Sequence, residues 1–237
     1  MFRSHGRPVP VVPISAFKGF RFPPEIIVLA VRWYLRFGLS YRDVEELVAE
    51  LGIEVDHVTV YRWVQRFTPL LADAAGPCRH AVGDRWYIDE TYVKVAGRWR
   101  YVYRAIDQHG HIVYVYVSAR RDTRAARRFF ATALAHGEPT EVVTDRAPAL
   151  RAVVDELIPG AFHNTAQYAN NRIEGDHSRL KARLRPMRGL KRDHTARVIM
   201  RGHAFMQNLR RGHYELGIDA RAHRHVAAAF TELAQVI

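Results

Sequence analysis

The chain has 237 residues, 48% of them hydrophobic and 25% charged, which suits a medium domain plus a small one and excludes a largely disordered chain. Its 36 Lys and Arg against 24 Asp and Glu leave a net charge of +12, so a polyanion is the natural partner, nucleic acid ahead of a membrane. The single cysteine, Cys78, excludes an internal disulfide and a cysteine-based zinc site, and no apolar run has the length of a membrane span or signal peptide, so a soluble cytoplasmic protein is expected.

Residues 1–22, rich in Pro, Gly and Arg, predict a flexible basic arm. "PPEIIVLAVRWYLRFG" then predicts a helix, with Pro24 in its first turn and Gly38 just past its end. "SYRDVEELVAELG" predicts a second, with Ser40 and Asp43 as a capping box and Gly52 as its stop. Asp56 caps a third, "HVTVYRWVQRF", which turns Val60, Trp63, Val64 and Phe67 inward and Thr59, Arg62 and Arg66 outward. Helix, Gly-containing turn, helix is the helix-turn-helix pattern, whose second helix enters the major groove, so residues 23–67 are read as an all-α DNA-binding domain. Residues 68–84 are expected to be a linker.

From residue 85 the texture changes. "RWYIDETYVKV", "RWRYVYRAID" and "HIVYVYVSA" are aromatic and β-branched runs joined at Ala96-Gly97 and "QHG", which predicts an antiparallel meander. A helix ("DTRAARRFFATALAHG"), a short buried strand ("TEVVTD"), a helix from Pro148 through Leu157 and a short strand within 161–168 follow, then a helix from Asn171 and another over about 193–211. This order is that of an RNase H-like, retroviral-integrase-like α/β domain over 85–212, with a mixed five-stranded sheet flanked by helices. Residues 213–237 are read as a helical tail.

Three acids stand out by position. Asp89 interrupts the first strand, where an unpaired carboxylate is costly. Asp145 ends "EVVTD", where a parallel strand delivers residues to a ligand crevice, and Glu174 lies in the first turn of "NRIEGDHSRLKARLRP". Each has a plainer reading: an edge-strand surface residue for Asp89, a helix cap for Asp145, a capping box with Asn171 for Glu174. Together, three oxygen ligands suit a hard cation, and two Mg²⁺ (or Mn²⁺) ions can clamp a phosphodiester. Glu174, His177, Ser178, Lys181 and Arg185 share one helical face, in a segment (172–192) with eight basic and two acidic residues. Lys181 and Arg185 are read as DNA-contacting; His177 could add a metal-binding Glu-x-x-His pair.

"FKGFRFPPEIIVLAVRWYLRFGLSYRDVEELVAE", "DHVTVYRWVQRF", "YIDETYVKVAGRWRYVYRAID", "TDRAPAL" and "NNRIEGDHSRLKARLRPMRGLK" resemble the transposases of the insertion-sequence-six family, over about residues 17–212. The resemblance implies a DDE enzyme with Asp89, Asp145 and Glu174 as its catalytic acids and Lys181 as the basic residue seven places beyond the Glu. It also implies double-stranded DNA as partner (terminal inverted repeats and target), replicative cointegrate products, and a homodimer or higher multimer. The stretch from Asp145 to Glu174 is several residues shorter than the family usually carries, the shortening falling near 157–166. Two other readings stay open: a non-catalytic helix-turn-helix regulator, and an RNase H-like nuclease without strand transfer.

Overall fold

The computed structural model describes residues 15–145, 147–166, 168–187 and 189–237. Three helices come first: α1 (Pro24–Arg36), α2 (Tyr41–Ala49) and α3 (His57–Ala74). The expected caps are present. Ser40 Oγ accepts from the Asp43 amide (3.2 Å) while the Asp43 carboxylate accepts from the Ser40 amide (2.7 Å). Asp56 Oδ1 accepts from the amides of Val58 and Thr59, which satisfies donors that no helix can pair internally.

Two expectations are corrected here. The basic arm read over 1–22 lies outside the described residues up to 14, but from Ser15 the chain is packed: Phe17 is buried and stacks on Phe67 at 4.7 Å, and Phe20 meets the same ring at 5.1 Å. The linker expected from 68 is helix as far as Ala74. Pro69 removes one backbone donor and would ordinarily break the helix. Burial prevents this, because Thr68 and Leu71 are fully enclosed. On α7 (Asp193–Arg210) the facing residue is Gly202, where a Cβ would sit 2.6 Å from Thr68 Cγ2 and 2.8 Å from Leu35 Cδ2. Only a glycine lets α3 and α7 come this close.

The sheet is formed by β1 (Arg85–Val95), β2 (Arg98–Asp107), β3 (Ile112–Ser118), β4 (Glu141–Val143) and β5 (Phe162–Asn164), in the order β3-β2-β1-β4-β5. β1, β2 and β3 form the expected antiparallel meander, while β4 joins β1, and β5 joins β4, in parallel. At the first hairpin both turn residues have positive φ, Ala96 at 48° and Gly97 at 77°, the combination that follows the twist of the flanking strands. This is the mixed five-stranded RNase H-like arrangement.

Each face of the sheet packs against helices. Trp86, Ile88, Tyr103 and Ala105 meet α4 (Thr123–Ala133) and α5 (Pro148–Leu157). Val93, Val95, Val102 and Val117 belong to a second core shared with α1–α3, α7 and α8 (His225–Val236). The helix-turn-helix segment therefore shares its interior with the sheet domain. The C-terminal tail expected over 213–237 is part of that interior too, through Ala229, Phe230 and Leu233. Among the described residues no helix is long and apolar enough to cross a membrane.

Candidate active site

β4 pairs with β1 for only three residues, up to Tyr87. Beyond that the edge of β1 is open, and α6 (Asn171–Leu184) lies beside it. Asn170, at the N-cap of α6, donates its side-chain amide to the Ile88 carbonyl at 2.9 Å. At the far end, the Ala96 amide donates to the Leu190 carbonyl at 2.7 Å. The short β4 thus makes room for α6, and both ends of that segment are tied to β1.

The result is a cavity of about 390 Å³ lined by Asp89, Asp145 and Glu174, together with Thr144, Thr165, Ala166, Tyr168, Asn170 and Asn171. Asp89 comes from the middle of β1, Asp145 from two residues past β4, and Glu174 from the first turn of α6. The short stretch near 157–166 holds only a turn and β5, and the three acids still face one cavity.

The cavity is electrostatically strained. Burial pushes the Asp89 carboxyl up to about 7, with the nearby Glu90 and Asp145 carboxylates adding to the effect. Glu90, whose side chain points away from Asp89, is almost enclosed and is likewise raised, chiefly by burial. The Arg121 guanidinium pairs with Glu90 and reaches Asp145 Oδ2 at 3.7 Å. The other Asp145 oxygen accepts from the Ala147 amide at 2.9 Å. His177 Nδ1 lies 3.6 Å from Asp89 Oδ2, but burial, with Arg104 nearby, pushes that imidazole down to about 4. It is uncharged at neutral pH and cannot neutralise Asp89.

Converging carboxylates with too little positive charge fit a hard divalent cation, which takes oxygen ligands. Among the described residues no three His, Cys, Asp or Glu side chains stand close enough to make a ready-formed metal cluster. The acids share a cavity, and holding an ion would draw their side chains together.

The remaining predicted residues fall into two groups. On α3, Arg62 is exposed, the Thr59 hydroxyl is engaged with Asp56 Oδ2 at 2.6 Å, and the Arg66 guanidinium sits 5.6 Å over the Phe20 ring. None of these lines the acid cavity. Lys181 and Arg185 are exposed and do not line it either; α6 ends at Leu184, so Arg185 starts a 3₁₀ turn. His177 departs from the expected outward face and is buried. The capping box with Asn171 does not form: the cap position is Asn170, whose side chain makes no cap bond, and Asn171 is the first residue of the helix.

Sequence reasoning missed a buried ion cluster under the site. Arg104 of β2, fully enclosed, has Nε 2.6 Å from Asp176 Oδ2, close enough for an ion pair though not aligned as a hydrogen bond. Arg211 donates to the other Asp176 oxygen at 2.6 Å. Arg104 pairs across the strands with Asp89. An arginine inside the aromatic run "RYVYRAID" was the available signal, since such a charge needs a buried acid.

Residues 83–213 match the DDE_Tnp_IS240 family, described as a DDE domain. Over 177 residues the chain is 39% identical to the transposase for the insertion sequence-like element IS431mec of Staphylococcus aureus (strain Mu50 / ATCC 700699), covering 72% of this chain and 79% of that protein. It is 38% identical, with the same coverage, to the transposase for insertion sequence element IS257 in transposon Tn4003 of Staphylococcus aureus. Among solved structures it is similar to the HTLV-2 integrase catalytic core domain in complex with magnesium (trimeric form), at a TM-score of 0.41 and 17% identity over 56% of this chain and 88% of that one. The family match spans more than half of the sequence and includes Asp89, Asp145 and Glu174, and the relatives are 39% and 38% identical over most of the chain: the chain belongs to the DDE transposases of the insertion-sequence-six family.

Proposed function

We propose that this protein binds the terminal inverted repeats of an insertion sequence and catalyses metal-dependent strand cleavage and strand transfer into target DNA, with Asp89, Asp145 and Glu174 as the catalytic acids. The observation that carries the reading is the single cavity lined by all three carboxylates, with Asp89 displaced to about 7 by burial and by its acidic neighbours. The three acids would hold two Mg²⁺ or Mn²⁺ ions. Divalent ions bound there supply Lewis-acid polarisation of a phosphodiester and of the oxygen that attacks it.

The chain's own groups do the rest. The Ala147 amide holds one Asp145 oxygen, so the other is turned toward Arg121. Asn170 fixes the start of α6 to β1 and thereby sets Glu174 against Asp89. Lys181, on the same helix as Glu174, meets DNA phosphate, a contact that orients the strand without reading sequence. α3, with Arg62 and Arg66 outward, enters the major groove of the repeat, and the functional form is a homodimer or higher multimer.

The test is cleavage of end DNA by the purified protein with and without Mg²⁺. Asp89→Asn, Asp145→Asn and Glu174→Gln should each abolish nicking while end binding persists. Nicking at a near wild-type rate by any one variant removes that residue from the site. Binding without metal-dependent nicking in the wild type would favour a regulator, and nicking without joining a nuclease.

A further inference from the structure

The β1–β2 hairpin carries two large aromatic side chains that the fold does not bury. Tyr92 is 57% exposed and Trp99 53%, and their rings meet edge to face at 5.1 Å. A cation lies over each. Lys94 Nζ is 5.3 Å from the Trp99 ring centre, and Lys181 Nζ is 5.7 Å from that of Tyr92. Cross-strand packing alone accounts for two touching rings. It also accounts for Lys94, the register partner of Trp99, but not for Lys181, which reaches the same exposed aromatic surface from the helix that bears Glu174.

The opposite end of α6 shows a matching feature. Tyr168, three residues before the helix, lines the acid cavity and is 74% exposed. Its φ is +67°, in the left-handed region, where a bulky side chain is strained and glycine is the usual occupant. Among the described residues the ring gains no burial that would repay the strain. Strained backbone of this kind gathers at ligand clamps.

These residues follow α6 and the open edge of β1 that it covers; Tyr92 shares the Glu90 face of β1, so its ring leaves the sheet on the side opposite Asp89 and is met there by α6. Tyr168 precedes α6, Glu174 opens it, and Lys181 near its end touches Tyr92. Tyr92 is three residues along β1 from Asp89, or about 10 Å. α6 itself is roughly 21 Å long, the length of about six stacked nucleotides. Exposed aromatic rings interleaved with cations are the pattern that holds unpaired nucleic acid: bases stack on the rings while the phosphates meet the charges. Paired bases stack on one another and leave no face for such rings.

We propose that a locally unpaired DNA strand lies along α6, with bases stacked on Tyr168 beside the acid cavity at the start of the helix and on the Tyr92–Trp99 pair near its end. This deepens the cleavage function proposed above and rests on it for the identity of the polymer. The acids then work on nucleotides lifted out of the duplex.

The test measures binding, so it does not depend on nicking. Full-length wild type, Tyr92→Ala/Trp99→Ala and Tyr168→Ala are titrated with a fluorescent oligodeoxythymidine and with a blunt duplex of scrambled sequence, in EDTA. Circular dichroism checks the fold, and Tyr92→Phe/Trp99→Phe and Tyr168→Phe keep ring faces in place. Each Ala variant should lose about fivefold or more in affinity for the single strand and little for the duplex, and each Phe variant should retain most of the single-strand affinity. Unchanged single-strand affinity in the Ala variants overturns the proposal, and so does an equal loss for both nucleic acids. Failure of the cleavage reading would appear separately, as wild type that binds single strands and never nicks.

Discussion

Glu174 and Asp176 stand two residues apart on α6, in opposite surroundings. Asp176 is buried, and Arg104, Arg211 and Arg179 all approach it. Arg104 and Arg211 hold its carboxyl below the usual carboxylate range against the pull of burial. Glu174 is exposed on the cavity wall, and among the described residues no cation pairs with it. One acid is neutralised by the protein; the other is not. On the function proposed above, the difference separates structural from reactive carboxylates more sharply than burial does, because Asp89 is half-buried and has no cation paired with it among the described residues.

Activity gives the largest expected contrast. Glu174→Gln should lower metal-dependent cleavage by about a thousandfold or more, a loss of ~4 kcal/mol in transition-state stabilisation, while changing folding stability by no more than about 0.5 kcal/mol, as for other exposed positions. Single-turnover cleavage and urea denaturation on the same preparation measure both. A Glu174→Gln protein that unfolds early would place Glu174 in the scaffold beside Asp176, and the contrast would collapse.

Asp176→Asn should do the reverse. It leaves Arg104 enclosed with a full charge and no acid, which costs about 3–5 kcal/mol. The midpoint of urea unfolding should fall accordingly. Replacing the cluster as a whole, Arg104→Met with Asp176→Leu, should recover much of that loss, because a packed apolar pair needs no compensation. If Asp176→Asn alone costs less than about 1 kcal/mol, water reaches Arg104 and the cluster is not the scaffold described here.

Much of this was legible in the sequence, and the exceptions have physical causes. The helix caps at Ser40 and Asp56 and the Ala96-Gly97 hairpin are local signals, each settled by a few neighbouring residues; the three acids, singly ambiguous, stood out by position and now line one cavity. The errors arose where distant packing overrides local preference. Pro69 reads as a helix end, yet α3 continues because Gly202 lets α7 close over Thr68. On α1, α7 and α8 cover a second side of the helix, so Val31 and Leu35 are buried, while Phe37 just past its end is exposed. At the site, strand alternation pointed Glu90 away from Asp89, and nothing local reveals that Arg121 bridges Glu90 to Asp145.

A buried titratable group away from the cavity extends the contrast to pH. His111 is enclosed, and its Nε2 accepts a hydrogen bond from Arg79 Nε at 2.8 Å. Burial, then Arg79 and His213, push the imidazole down to about 3 against the weaker pull of Asp107. A histidine held below its ordinary 6.5 contributes stability that is complete above that pH and is lost as pH falls toward 3. Unfolding free energy should therefore decline across this range. In His111→Gln, which offers Arg79 an uncharged acceptor, the decline should be shallower. Equal slopes for the two proteins between pH 4 and 7 would assign the acid sensitivity elsewhere, for example to His203, which burial also pushes down to about 3.

The smallest expected effect concerns Lys181, the cation on the same side of α6 as Glu174. Seven residues separate them, about 10 Å along the axis, too far for the ammonium to pair with that carboxylate. Its partner within the chain is instead the exposed Tyr92 ring, an attraction of about 0.5–1 kcal/mol at such a site. So weak a contact leaves the charge available to a phosphate. Lys181→Ala should then weaken DNA binding by a similar factor for all sequences, and the dependence of log affinity on log salt should lose about one unit of slope. Arg62→Ala on α3 offers the comparison: if that helix reads bases, its loss should fall mainly on the terminal repeat and spare scrambled DNA. Salt titrations of both variants with both DNAs decide it. An unchanged slope in Lys181→Ala would mean that Tyr92 holds the ammonium through binding, and that the basic side of α6 meets DNA through Arg185 or Arg179 instead.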